Sequence, residues 1–246
     1  MLRSIKNLTG ATIGALDGEI GKVHSFLFDS ESWVIRYLVV DTGKWLPGRK
    51  VLIAPTALGK PDWQSRVFPV NLTKEQVRNS PDIDTDKPVS RQREAELHTY
   101  YDWAPYWGTG YGIALPPGYR VEADRGAMAL ETAEQGDPHL RSTREVRGYR
   151  IHATDGEIGH VEDFIAGDDE WVIRYLVVDT RNWLAGRSVL ISPEWVRDIG
   201  WEEREVWVDV TRQRVEDSPP YNGTDPVNRE YETQMYDYYG RPKYWK

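Results

Sequence analysis

The feature that most constrains this chain is that it repeats itself. Asp17-Gly18-Glu19-Ile20-Gly21 returns as Asp155-Gly156-Glu157-Ile158-Gly159, a spacing of 138 residues. The same spacing, without a gap, carries Trp33-Val34-Ile35-Arg36-Tyr37-Leu38-Val39-Val40-Asp41-Thr42 onto 171–180 and Val51-Leu52-Ile53 onto 189–191. It extends back to Leu2-Arg3-Ser4 and Leu140-Arg141-Ser142, and forward to Tyr106-Trp107 and Tyr244-Trp245. So long a period means a duplicated domain and not a solenoid, whose units run to roughly 20–50 residues. The copies are 1–107 and 139–246. Between them, 108–138 is rich in Gly, Ala and Pro, has no counterpart, and reads as a linker. Its Gly108-Thr109-Gly110-Tyr111-Gly112 has the look of a phosphate loop, but no strand precedes it and no Lys-Ser/Thr follows. Charge divides unevenly, +1 for the first copy, −3 for the linker and −6 for the second copy.

Each copy reads as mainly β. Asp17-Gly18 and Asp155-Gly156 are tight-turn signals that predict a hairpin, and Gly21 and Gly159 mark a bulge or a close backbone approach inside the following strand. Residues 33–41 form a β-branched and aromatic run, 49–53 another before Pro55, and 67–72 a third. The helical candidates are 73–79 and about 90–101. Many short strands joined by tight turns favour a small β-barrel over an open sheet, each barrel followed by a short helical, aromatic tail. The tail repeats Leu97, Tyr100 and Tyr101 as Met235, Tyr238 and Tyr239, a stripe expected to pack on its barrel.

Composition excludes several classes. With no cysteine there is neither a disulfide framework nor a thiolate metal site. The longest apolar run, 37–40, is far below the roughly 20 residues of a spanning helix, and the amino terminus lacks the apolar stretch of a signal peptide, so a cytoplasmic protein is expected. A net charge of −8 with no basic–aromatic cluster argues against nucleic acid.

Chemistry older than the duplication should survive in both copies. No histidine does: His24, His98, His139, His152 and His160 face Glu162, Tyr236, Met1, Gly14 and Lys22, and all five are expected at the surface, with no metal site and no cofactor. The recurring ionisable residues are Asp17, Glu19, Arg36, Asp41, Arg49, Arg66, Arg91 and Glu94 with their partners. Asp17 and Glu19 (Asp155 and Glu157) suit acid–base work or calcium, and equally suit turn chemistry. No recurring serine has a recurring base, so the expectation is a protein that is not an enzyme.

Strand alternation places Trp33, Ile35, Tyr37 and Val39 on one face and Val34, Arg36, Leu38 and Val40 on the other. Both faces are apolar, so one fills the barrel and the other needs a helix, the sister copy or a partner. Arg36 and Arg174 on the covered face then require a carboxylate within the copy or on a partner. Trp45 and Trp183, in the 42–49 loop and its repeat, suit an interface or a cap on the barrel end. With Arg49 and Arg187, these are the candidate partner-binding residues.

The Asp-Gly-Glu-Ile-Gly turn, the Val-Val-Asp strand ends at Asp41 and Asp179, and the Val-Leu-Ile-x-Pro strands closing at Pro55 and Pro193 resemble the PRC-barrel family. That barrel occurs in the photosynthetic reaction centre H subunit and in ribosome-maturation proteins of the RimM type. The resemblance covers about the first 75 residues of each copy and implies a barrel that docks on other macromolecules without catalysis; the membrane helix of the one and the added N-terminal domain of the other have no counterpart here. The expected function is a non-enzymatic tandem adaptor or scaffold for a partner protein, the alternative a small-molecule or ion binder using a cleft between the copies. The two copies are expected to pack about a pseudo-two-fold axis, as an intramolecular dimer.

Overall fold

The computed structural model describes residues 1–83, 89, 91–107, 139–180, 187–223 and 226–245. The linker 108–138 and Trp183 lie outside the described residues. The fold is mainly β. The first copy contributes β1 (Leu2–Ser4), α1 (Ile5–Leu8), β2 (Thr12–Ala15), β3 (Gly18–Asp29), β4 (Ile35–Asp41), β5 (Lys50–Ile53), β6 (Val67–Pro69), α2 (Lys74–Asn79) and α3 (Arg91–Tyr101). The second contributes β7 (Leu140–Ser142), α4 (Thr143–Val146), β8 (Arg150–Ala153), β9 (Gly156–Gly167), β10 (Ile173–Asp179), β11 (Ser188–Ile191), β12 (Val196–Gly200), β13 (Glu205–Val208), α5 (Arg212–Glu216) and α6 (Arg229–Tyr239).

The hairpins at Asp17-Gly18 and Asp155-Gly156 join β2 to β3 and β8 to β9. The strand order is β5-β4-β3-β2-β6 in one sheet and β11-β10-β9-β8-β13-β12 in the other. Among the described residues neither path returns to its first strand, so hydrogen bonding leaves both sheets open where closed barrels were expected. The equivalent pairs β2–β6 and β8–β13 are parallel, and β12 adds antiparallel to β13 at the edge of the second sheet.

Two β strands are long, and their length joins the copies. β3 and β9 run to 12 residues each, and the near end of each pairs with the strand of its own hairpin. The far end pairs with the first strand of the other copy: β1 with Ile165 to Gly167 of β9, and β7 with Leu27 to Asp29 of β3. The copies thus exchange β1 and β7 in the same register. Val34 and Val172, equivalent residues, bridge each other antiparallel, which places a local two-fold axis between them. Beside it the Ile35 amide donates to the Trp171 carbonyl at 2.7 Å and the Ile173 amide to the Trp33 carbonyl at 2.9 Å. Trp33 and Trp171 adopt left-handed backbone (φ 58° and 55°) to present those carbonyls. One apolar core runs through both copies, with Phe28 and Phe164 in contact across the seam at 6.0 Å.

The predicted alternation fails at one residue. Tyr37 pairs with Leu27 and Ile35 with Phe28, so Arg36 is an extra residue opposite none, and Arg174 is its equivalent between Ile173 and Tyr175. This bulge reverses the phase of the strand. Ile35 joins Leu38 and Val40 in the shared core, while Tyr37 and Val39 turn to a second core closed by Leu97 of α3 and by Leu140. The second apolar face is therefore covered by both the tail and the sister copy. In the tails Leu97, Met235 and Tyr239 are buried as expected, but Tyr100 is 40% exposed and its repeat Tyr238 half-buried, while the equivalent residues His98 and Tyr236 are buried. No helix among the described residues is long and apolar enough to cross a membrane.

Candidate functional site

Of the eight recurring ionisable residues, Asp41 accepts the Gly43 amide and Arg66 donates to the Asn7 and Thr9 carbonyls, while Asp17, Arg49, Arg36, Arg91 and Glu94 fall into two constructions. The first clamps the small helix after the last strand of each copy. Asp17 accepts the Lys74 amide at 2.8 Å, Asp155 the Arg212 amide at 2.7 Å, so a hairpin carboxylate holds each helix N-terminus. Arg187 donates to the Glu216 and Ser218 carbonyls at 2.7 and 2.6 Å, and Arg49 to those of Arg78 and Ser80 at the equivalent end. The guanidinium groups of Arg49 and Arg187 are thus engaged within the chain. Trp45 donates its indole N–H to the Ile20 carbonyl, and the Lys74 ammonium lies 4.9 Å from its ring. It closes its own hairpin end.

The second construction is buried under each tail. Glu94, fully buried, accepts the hydroxyls of Tyr37, at 3.1 Å, and Tyr106, and pairs with Arg91 at 3.1 Å. Glu232 repeats this with Tyr175 at 2.6 Å, Tyr244 at 2.8 Å and Arg229 at 3.1 Å. Burial first, then the neighbouring carboxylate, pushes these tyrosine hydroxyls up, which keeps them protonated as donors. Arg36 stacks at 3.9 Å over Tyr106 and Arg174 at 4.2 Å over Tyr244. Arg36 lies 3.9 Å from Asp29, and Arg174 pairs with Glu170. Tyr106 and Tyr244 recurred at the 138-residue spacing, but nothing in sequence order tied them to Glu94 and Glu232.

The first copy adds histidines. His98 is buried, against the expectation of a surface residue, and its ring meets the Tyr37 hydroxyl at 2.7 Å. His139, arriving with the exchanged β7, lies 3.1 Å from Glu94. The tail buries Glu94, His98 and Glu232, a property that sequence position does not reveal.

Beside these networks two clefts open on the seam. One, of about 460 Å³, is lined by Trp33 of the first copy and Val172, Ile173, Arg174, Pro193 and Tyr244 of the second. The other, of about 430 Å³, is lined by Trp171 with Val34, Ile35, Arg36, Pro55 and Tyr106. Residue for residue the two sets are equivalent and identical. Arg36 and Arg174 are therefore brought to these paired clefts, whereas Arg187 lines a separate cleft of about 570 Å³ with Ser4 and Asn7 of the first copy, and Trp45 one of about 410 Å³ beside its own hairpin. The rims have diverged: Ser30, Glu31 and Ser32 on the first cleft stand where the second has Asp168, Asp169 and Glu170, and Tyr236 stands for His98.

No family model matches the chain. An uncharacterized protein of Deinococcus radiodurans is 34% identical over 90 residues, which is 36% of this chain and 32% of the relative. The matched segment thus spans about a third of that relative's length. Among the described residues no group of three or more His, Cys, Asp or Glu is placed to hold a metal ion.

Proposed function

We propose that this chain is a non-catalytic tandem adaptor, two modules of the PRC-barrel type locked into one platform that docks on a partner protein through the paired seam clefts. The observation that carries this reading is the identity of the two cleft floors, each assembled from both copies. Duplicated surface on a two-fold platform suits a partner that presents two equivalent segments. The recurring Asp17, Arg49, Arg91 and Glu94 each have an intramolecular task in capping, clamping or tail closure, which accounts for their recurrence without chemistry. Trp183 stays a candidate contact on the strength of its recurrence alone.

Glu31 and Asp169 are equivalent, exposed residues, one on each rim, so Glu31→Lys with Asp169→Lys reverses both without touching a core. Affinity purification of the full chain with cross-linking should retain one protein at defined stoichiometry, and the double variant should lose it while melting like the wild type. Retention by the double variant would remove the clefts from the docking surface. A second reading, small-molecule binding, draws on the cleft volumes, which fall in the roughly 300–1,000 Å³ range of ligand pockets. It predicts no retained protein and a melting temperature raised by a metabolite fraction.

A further inference from the structure

The two clefts differ in what borders them. The first is lined by Val196, Arg197, Asp198 and Ile199, four consecutive residues of β12. Successive side chains of a strand point to opposite faces except at a bulge. Beyond the register shift at Arg197, Asp198 and Ile199 pair regularly with β13 yet line the same cleft, which therefore runs along the strand's edge. β12 is the outer strand of its sheet, with β13 on its inner side. Such an edge presents backbone donors and acceptors that an extended chain can pair with. In the first copy the equivalent stretch has only two isolated bridges, Leu58 with Val70 and Asp62 with Val67, and carries Gly59, Lys60 and Pro61. Proline and lysine are the residues that blunt a sheet edge. The second copy has Arg197, Asp198 and Ile199 in their place, and its edge is a continuous strand, with one register shift against β13 at Arg197 and regular pairing from Asp198 to Gly200.

We infer that the outer edge of β12 is a strand-addition site for an extended, basic segment of the partner. The inference rests on the docking reading above and assigns the first cleft its occupant. Charge selects the basic segment. Glu31, Glu194 and Asp198 face this cleft, and among the described residues none of the three is in an ion pair. Of the two guanidiniums there, Arg174 is already paired with Glu170 and stacked on Tyr244. The Asp198 carboxylate accepts the Ile199 amide at 2.9 Å, and an incoming carbonyl replaces that acceptor, freeing the carboxylate for a lysine or arginine.

The test uses the full chain and three synthetic peptides of the length of β12: alternating Lys and Val, alternating Glu and Val, and the Lys–Val peptide with a central proline. Amide chemical shifts are followed by NMR in titrations. The Lys–Val peptide should shift the amides of 196–200 and bind about tenfold or more tighter than the other two. Ile199→Pro copies Pro61 of the first copy and removes one edge donor; it should weaken binding about tenfold, while Ile199→Val leaves it unchanged. Asp198→Lys, copying Lys60, keeps the edge and should weaken the Lys–Val peptide alone. Unshifted 196–200 amides, or undiminished binding by a folded Ile199→Pro chain, overturns the site. If that variant still retains the protein captured by the wild-type chain, docking stands and strand addition at β12 falls.

Discussion

A methyl group on Gly21 would lie 2.0 Å from the Asp41 carbonyl oxygen, and one on Gly159 2.0 Å from that of Asp179. Backbone is what it meets, so neighbouring side chains cannot relieve the clash. Gly21→Ala and Gly159→Ala should each cost about 3 kcal/mol, read as a lower urea midpoint at unchanged m-value. Arg36 behaves otherwise. Its stacking on Tyr106 and its long pair with Asp29 are partly solvated, so Arg36→Ala should cost about 1–2 kcal/mol. Glu94 is fully buried with four groups around it, and Glu94→Gln strands Arg91, so about 3 kcal/mol is expected. Urea unfolding of the two variants gives the order; the reverse order would make the stack, not the carboxylate, the anchor of the tail. Burial holds the His98 imidazole below its ordinary value of 6.5, outweighing the pull of Glu94, while Arg91 adds to the lowering. The folded state then binds fewer protons than the unfolded chain, so stability present above 6.5 is lost as pH falls through the acid window below it. His98→Tyr, which copies Tyr236, should flatten the fall in urea midpoint between about pH 7 and about pH 5.

Among the elements, α2 and α5 are too short to persist alone and are held by what lies at their ends. Arg187→Ala leaves two carbonyls of the α5 end without their donor and should cost about 1–3 kcal/mol, with faster amide exchange confined to 212–218. Exchange quickening along β10 instead would place the arginine's role in the sheet. These two helices were legible in the sequence, as were the hairpins, because turn residues and short-range periodicity act within a few residues. The bulge at Arg36 was not. An extra residue in β4 is defined by what β3 sets opposite it, and alternation alone assigned Ile35 and Tyr37 to one face.

At the scale of the molecule, β1 and β7 make the copies inseparable without unpairing a sheet. Cleaving the chain at a protease site introduced within 108–138 should leave the two fragments co-eluting, and the cut protein should separate only where it unfolds. Fragments that part under native conditions would show that the exchanged strands add little. Both copies should also melt in one transition, since their apolar core is continuous. Asp168 contributes to the seam through Arg3, 2.7 Å away. Burial would raise its carboxyl, but hydrogen bonds from the terminal amine and from Arg3 prevail and hold it below the ordinary 3.8. That stability is present above 3.8 and lost as pH falls through the lowered value, so Asp168→Asn should destabilise by about 1 kcal/mol at neutral pH and by less in strong acid.

The duplication, the mainly β character, the glycines that must stay bare and the absence of cysteine chemistry were determined by the sequence itself, because each is a matter of residue identity or of neighbours along the chain. Tertiary structure alone decided the rest. Exchange of β1 and β7, the phase reversal at Arg36, the burial of Glu94 and His98 beneath a tail, and the twin clefts all depend on residues far apart in sequence. Identical strands in the two copies announced that a surface had to be covered. Only the docking of the tail and the pairing of β3 with β7 and β9 with β1 determined what covers it, since an edge hydrogen bond is available to any strand that arrives, and arrival is a property of the whole fold.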